Sequence, residues 1–167
     1  WNKGLKMPAN KLIDVDPDNV DDDGICQLQA PTASTAMTLN GALGTSLDYA
    51  RQLNLTSAAD LSAINFTIVG TEANGRSQSE VVVGPNATTV ECLKYYKTIT
   101  SVTPNGTSAS TIKIGTVDEL ATQLIPLNSG YNLDVQVAVN VTGTIDFTVQ
   151  ETFENVFSIV APNWINV

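Results

Sequence analysis

A chain of 167 residues, 43% of them hydrophobic, suits one domain with a core of its own. Eight Lys and Arg against 17 Asp and Glu leave a net charge of -9, and the basic residues are scattered, which argues against direct nucleic-acid binding, where phosphates meet clustered Lys and Arg. Histidine is absent, so Ser-His-Asp and Cys-His catalysis are excluded, and no apolar run is long enough to span a bilayer.

Residues 1–9 carry Lys3, Lys6, Gly4 and Pro8 with little periodicity and read as an extended arm. Lys11 to Val15 reads as a short strand that runs straight into DVDPDNVDDDG, with six aspartates between Asp14 and Asp23. Asp14, Asp16 and Asp18 have the spacing that opens a calcium loop. The match then fails, because Asn19 stands where the loop needs glycine, Ile25 where it needs a bidentate Glu, and Pro17 interrupts. The stretch is therefore read as a solvated acidic turn, or one that faces a basic patch on a partner, ahead of a looser Ca²⁺ or Mg²⁺ site.

Ile25 to Ser34 reads as loop, Ala36 to Leu39 as a strand ending at the Asn40-Gly41 turn, and Tyr49 to Thr56 as a strand with Leu53 and Leu55 on one face. Ser57 to Ser62 fits one helical turn, with Ser57 as cap and Asp60 at the capping-box position. The strongest local signal is Ile64 to Val83, where two β-prone runs flank Asn74-Gly75, a dipeptide that tolerates the positive φ of tight hairpin turns. Gly84-Pro85-Asn86 turns the chain again, and Thr88 to Val102 reads as one bent strand or two. After Pro104-Asn105-Gly106 come a short strand, Ser110 to Ile114, and a short helix, Val117 to Leu124, with Leu120 and Leu124 four apart. Leu133 to Val141 and Ile145 to Val149 alternate as a second hairpin about Gly143, and the tail from Phe153 to Val167 is apolar, with at most one strand.

Short strands recurring between Gly, Pro and Asn turns predict an all-β fold, an antiparallel β-sandwich or jelly roll with extended N- and C-terminal arms. The expected organisation is an arm and acidic loop over 1–33, a β-sandwich domain over 34–152 and a tail over 153–167.

Few residues point to chemistry. Cys26 and Cys92 lie far apart and form no CxxC pair, so buried free thiols are favoured over a disulfide. Five N-x-S/T sequons occur, at Asn54, Asn65, Asn86, Asn105 and Asn140, but two fall within predicted strands and the chain is rich in Asn and Thr, so glycosylation is the weaker reading. Glu72 and Glu80 sit on opposite arms of the central hairpin, where a meeting of carboxylates would suit a retaining glycosidase; a solvated hairpin face is the stronger reading. Tyr95 and Tyr96 point to opposite faces, which puts one of them in the core. Trp164 reads as an anchor for the tail in a groove. No catalytic, cofactor-binding or metal residue is assigned, and no cofactor is expected.

Several strings together carry a resemblance: DDDGICQLQAP and LNGAL near the start, then INFTIVGTEANGRSQSEVVVGPNATTVECLKYYKTITSVTPNG, then VTGTIDFTVQETFENVF with Pro162 and Trp164. Over residues 20–165 the chain resembles a group of small tailed-bacteriophage proteins that look like virion structural components. The resemblance implies a non-enzymatic role, foremost a capsid cement or decoration protein on the outer capsid surface, made in the bacterial host cytoplasm. A head-tail connector or a tail or fibre component, with glycan or receptor binding, is the alternative. The partners implied are the major capsid protein and further copies of the chain as a homo-oligomer, dimer or trimer, with neither nucleic acid nor membrane.

Overall fold

The structure is a computed structural model and describes residues 20–122, 148, 150–151 and 165–166. It is all-β and antiparallel, with no helix among the described residues. The strands are β1 (Asp21–Gln29), β2 (Ser46–Thr56), β3 (Asn65–Thr71), β4 (Ser77–Val83), β5 (Thr89–Pro104), β6 (Ile112–Ala121), β7 (Gln150–Glu151) and β8 (Ile165–Asn166). The first six form one sheet in the order β1-β6-β2-β5-β3-β4. The chain divides into two compact units, Trp1–Pro126 and Leu127–Val167. The second contains the short β7–β8 pair, Gln150 opposite Asn166 and Glu151 opposite Ile165.

The central hairpin forms as its pattern dictates. β3 and β4 pair without a slip from Asn65 opposite Val83 to Thr71 opposite Ser77, and the loop between them closes through Glu72 N donating to Arg76 O and Gly75 N to Glu72 O, each 2.9 Å. Gly75 takes φ 81°, a value L side chains rarely adopt. Alternation then sends Phe66, Ile68 and Val82 into the core, with Leu53, Leu55, Tyr96, Val102, Ile112 and Ile114 from neighbouring strands.

β5 is one strand of 16 residues shared by two partners. Its first half pairs with β2, from Thr56 opposite Thr89 to Ser46 opposite Thr98. Its second half pairs with β3, from Thr71 opposite Thr98 to Phe66 opposite Pro104. At the changeover the register shifts: Val69 faces Ser101 but Gly70 faces Ile99, which leaves Thr100 as an extra, exposed residue. A bulge of this kind bends a strand and sharpens its twist, and this one brings β4, two places away in the sheet, back toward the first half of β5.

Four expectations are corrected. Asp21 to Asp23 and Ile25 to Gln29 form a strand, not an acidic turn and loop; β6 pairs with this stretch, and Asp22 Oδ2 meets Lys113 Nζ at 3.1 Å while its Oδ1 accepts from Asn54 Nδ2 at 3.1 Å. Neutralised there, the carboxylate no longer disfavours the ladder. Ala36 to Leu39 is not a strand: Ser34 N and Met37 N donate to Pro104 O and Val102 O as isolated bonds, and Gln29 takes both backbone groups of Thr38 with its side chain. Ser57 to Ser62 is not helical, because Ser57 Oγ donates to Thr111 O and Asp60 bridges to Asn86. Val117 to Ala121 continues β6 rather than starting a helix, since β2 offers it partners as far as Ala50 opposite Ala121. The expected arm over 1–9, the strand at Lys11, the hairpin from Leu133 and most of the tail lie outside the described residues.

Candidate interaction surface

The residues singled out for chemistry are not brought together. Glu80 sits opposite Ile68 in the ladder while Glu72 lies beyond its end, about four residues further along, or roughly 13 Å at strand rise. Glu72 instead pairs with Arg76 at 3.8 Å. Glu80 accepts from two successive backbone donors of β5, Leu93 N at 2.7 Å and Lys94 N at 3.0 Å. Glu72 and Glu80 therefore form no glycosidase pair. Asp14, Asp16 and Asp18 lie outside the described residues, and among those described no three His, Cys, Asp or Glu side chains cluster as a metal site would require.

Cys26 and Cys92 are free and buried, as favoured from their spacing. Burial pushes the Cys26 thiol up to about 11 and the Cys92 thiol up to about 12, so neither offers the thiolate that reactive cysteines need. The tyrosine pair divides as expected: Tyr96 is in the core, its phenol raised by burial, and Tyr95 is half-buried, donating to Glu119 Oε2 at 3.0 Å. Burial and then the Glu119 carboxylate push Tyr95 up to about 12. Asp60 is held below the usual carboxylate range by the Ser62 hydroxyl and then by the Ser62 N–H. Of the sequons, Asn54 is 2% exposed and its amide is engaged by Asp22, which closes it to a glycan, whereas Asn86 and Asn105 are exposed; Asn140 lies outside the described residues.

What the fold does assemble is a surface. Register places Asn65, Thr67, Val69 and Thr71 of β3 beside Val83, Val81, Ser79 and Ser77 of β4, and beside Thr103, Ser101 and Thr98 of β5. Their alternates, Phe66 and Ile68, are fully buried, so these side chains form the opposite, outer face. None is ionisable, in a chain with 17 acidic residues. Val81 and Val83 are 61% and 55% exposed, and Leu93, whose amide Glu80 holds, is 84% exposed. Sequence reading took the face that carries Glu72 and Glu80 as merely solvated, whereas Glu80 lies on the buried side with Ile68 and Val82. The available signal was Glu80 itself: alternation puts it on the face of Val82, and an acidic side chain at a core-facing position demands a partner.

The sheet's two edges are treated differently. Along the free side of β1, Gly41 N donates to Ile25 O at 3.0 Å, Leu43 N to Gly24 O at 2.8 Å, and Asn40 Oδ1 accepts from Gln27 N at 3.1 Å. Residues 38–43 thus cover that edge. β4 pairs with β3 alone, and among the described residues the only group on its far side is Lys94 Nζ, which donates to Ser79 O at 2.8 Å. Comparison with protein-family models, with curated proteins and with solved structures finds no match to this chain.

Proposed function

We propose that the chain is a non-enzymatic structural protein of a tailed-phage virion, a cement or decoration protein that binds the outer surface of the head and stabilises it by bridging major capsid protein subunits. The observation that carries this reading is the uncharged outer face of β3, β4 and the second half of β5. Protein interfaces are depleted of charge at their centres, and a broad face of Ser, Thr and Val on a chain of net charge -9 meets that requirement. The acidic remainder keeps the protein away from packaged nucleic acid by like-charge repulsion. Among the described residues no exposed large hydrophobic side chain is aromatic, which weighs against a saccharide platform.

The test is the copy number of the chain relative to the major capsid protein in purified particles. The reading expects a large multiple set by icosahedral symmetry. A count of about twelve or fewer would place the protein at one vertex or on the tail, and the connector or fibre role would replace this one. Binding of Thr67→Glu to particles, measured by co-sedimentation, should fall well below that of the parent chain, because the substitution sets a charge within the face.

A further inference from the structure

We propose that the open edge of β4 is a homotypic interface, pairing antiparallel with β4 of a second copy about a two-fold axis. The inference deepens the assembly reading above and rests on it for context. It starts from the parity of the hairpin. The bonds that bracket the ladder, Glu72 N to Arg76 O and Gly84 N to Ile64 O, belong to even-numbered pairs in a register that never slips. Hydrogen-bonded pairs recur at every second position, so Gln78, Glu80 and Val82 direct their backbone groups at β3. Ser77, Ser79, Val81 and Val83 direct theirs outward, and the bond from Lys94 Nζ to Ser79 O confirms the assignment.

Edge strands left open are normally protected by charge, proline or a covering segment. β1 has such a cover; among the described residues the far side of β4 meets only Lys94 Nζ, at Ser79 O, which leaves the outward groups of Val81 and Val83 uncovered. Nor does β4 carry a defence in its own sequence: its four outward positions hold two serines and two valines, and its single charge, Glu80, is turned onto the amides of Leu93 and Lys94.

Self-complementarity points to another copy as the occupant. Two chains of -9 repel over most of their surfaces and approach at least cost through an uncharged strip. That strip is self-complementary in the register that places the two-fold axis at Val81, which pairs the outward positions Ser79, Val81 and Val83 of the two copies. Centred on Val81, it sets Val81 against Val81, Ser79 against Val83 and Glu80 against Val82, and its three outward pairs exchange about six hydrogen bonds. The neighbouring register, centred on Glu80, would set two carboxylates directly opposite each other, which is destabilising.

Parity also supplies the test, since proline removes one N–H. At position 81 that group points outward, so Val81→Pro spares the hairpin and removes the central intermolecular bonds; at 82 it points at β3, so Val82→Pro damages the fold. Sedimentation equilibrium of the full chain from about 1 to 300 micromolar, a range that spans ordinary reversible association, should show a dimer. Val81→Pro should be monomeric over that range with an unchanged far-UV spectrum. Should it fail to fold, Val81→Lys, which sets like charges opposite on the axis, should dissociate the dimer instead. A wild-type chain that stays monomeric, a trimer in place of the dimer, or a dimer that survives Val81→Lys would overturn the inference. The two readings fail separately: a low copy number with an intact dimer removes the capsid role alone, and high copy number with a monomeric chain removes the edge pairing alone.

Discussion

Glu80 gives the sharpest prediction of how this sheet is held. Its carboxylate accepts from Leu93 N and Lys94 N, at 2.7 and 3.0 Å, across the intervening strand β3. Gln78 Nε2 completes the link by donating to Tyr95 O at 2.6 Å. At this point β5 has left β3, so side chains of β4 take the place of a ladder. A hydrogen bond to a charged group contributes about 1.5–3 kcal/mol net. Leu93 is exposed and its amide recovers water when the carboxylate is removed, whereas Lys94 is half-buried. Counting the second bond in full and the first in small part, Glu80→Ala should cost about 2 kcal/mol. Glu80→Gln keeps one acceptor and should cost about 1 kcal/mol. For a chain of this size that is a fall in Tm of about 4–8 °C and 2–4 °C respectively. Calorimetry reads the shift, and amide exchange locates it, with Leu93 and Lys94 losing protection. A Glu80→Ala variant within about 0.5 kcal/mol of the parent, with both amides still protected, would refute the claim that β4 is tied to β5 in this way.

Tyr96→Phe should leave stability unchanged or raise it by up to about 1 kcal/mol, because the buried Tyr96 hydroxyl has no hydrogen-bond partner among the described residues; a urea titration showing a loss above about 1 kcal/mol would mean the hydroxyl is held. Gly115→Ala should cost about 1–3 kcal/mol through overpacking, since a Cβ there would overlap the backbone of Asp21 and Asp22, and the loss should appear as exchange of β1 amides. Alkaline pH should destabilise the fold. The raised thiols of Cys26 and Cys92 and the raised phenol of Tyr95 keep their protons in the folded state to about 11 or 12, while the unfolded chain releases its own from about 9. Stability contributed by these groups is full below that point and falls as pH rises through the window, as equilibrium unfolding across it should show.

The fold class and the central hairpin were legible because both rest on local signals: alternation, β-branched runs and an Asn-Gly turn. The split of Tyr95 and Tyr96 followed from the same period of two. Elements whose formation depends on a distant partner were not legible. β1 reads as a loop because DDDG has poor strand propensity, and Lys113 and Asn54, far along the chain, help to offset that cost. Leu120, four residues before Leu124, mimics a helical face, yet Leu120 pairs with Arg51 of β2. Ser57 and Asp60 satisfy a capping pattern with no helix to cap, because bonds to Thr111 and a bridge to Asn86 outcompete it. The candidate surface was half-legible: alternation separated Asn65 and Thr67 from Phe66 and Ile68, but the edge that β4 leaves unpaired among the described residues needed the sheet order.

The pairing of β1 with β6 also sets a timetable. Asp21 finds Thr116, and Gln29 finds Ile112, only after everything between them has left the ribosome, a delay of several seconds at about 5–20 residues per second. Throughout that interval Ile25 and Cys26, both fully buried in the finished sheet, are a nascent hydrophobic segment without a home. Three consecutive aspartates at its leading end are the kind of gatekeeper that keeps such a segment from joining its neighbours on a polysome. Asp21 to Asp23 are thus suited to shield the segment while it waits, and the Asp22 carboxylate becomes the clasp that seats β1 when Lys113 arrives.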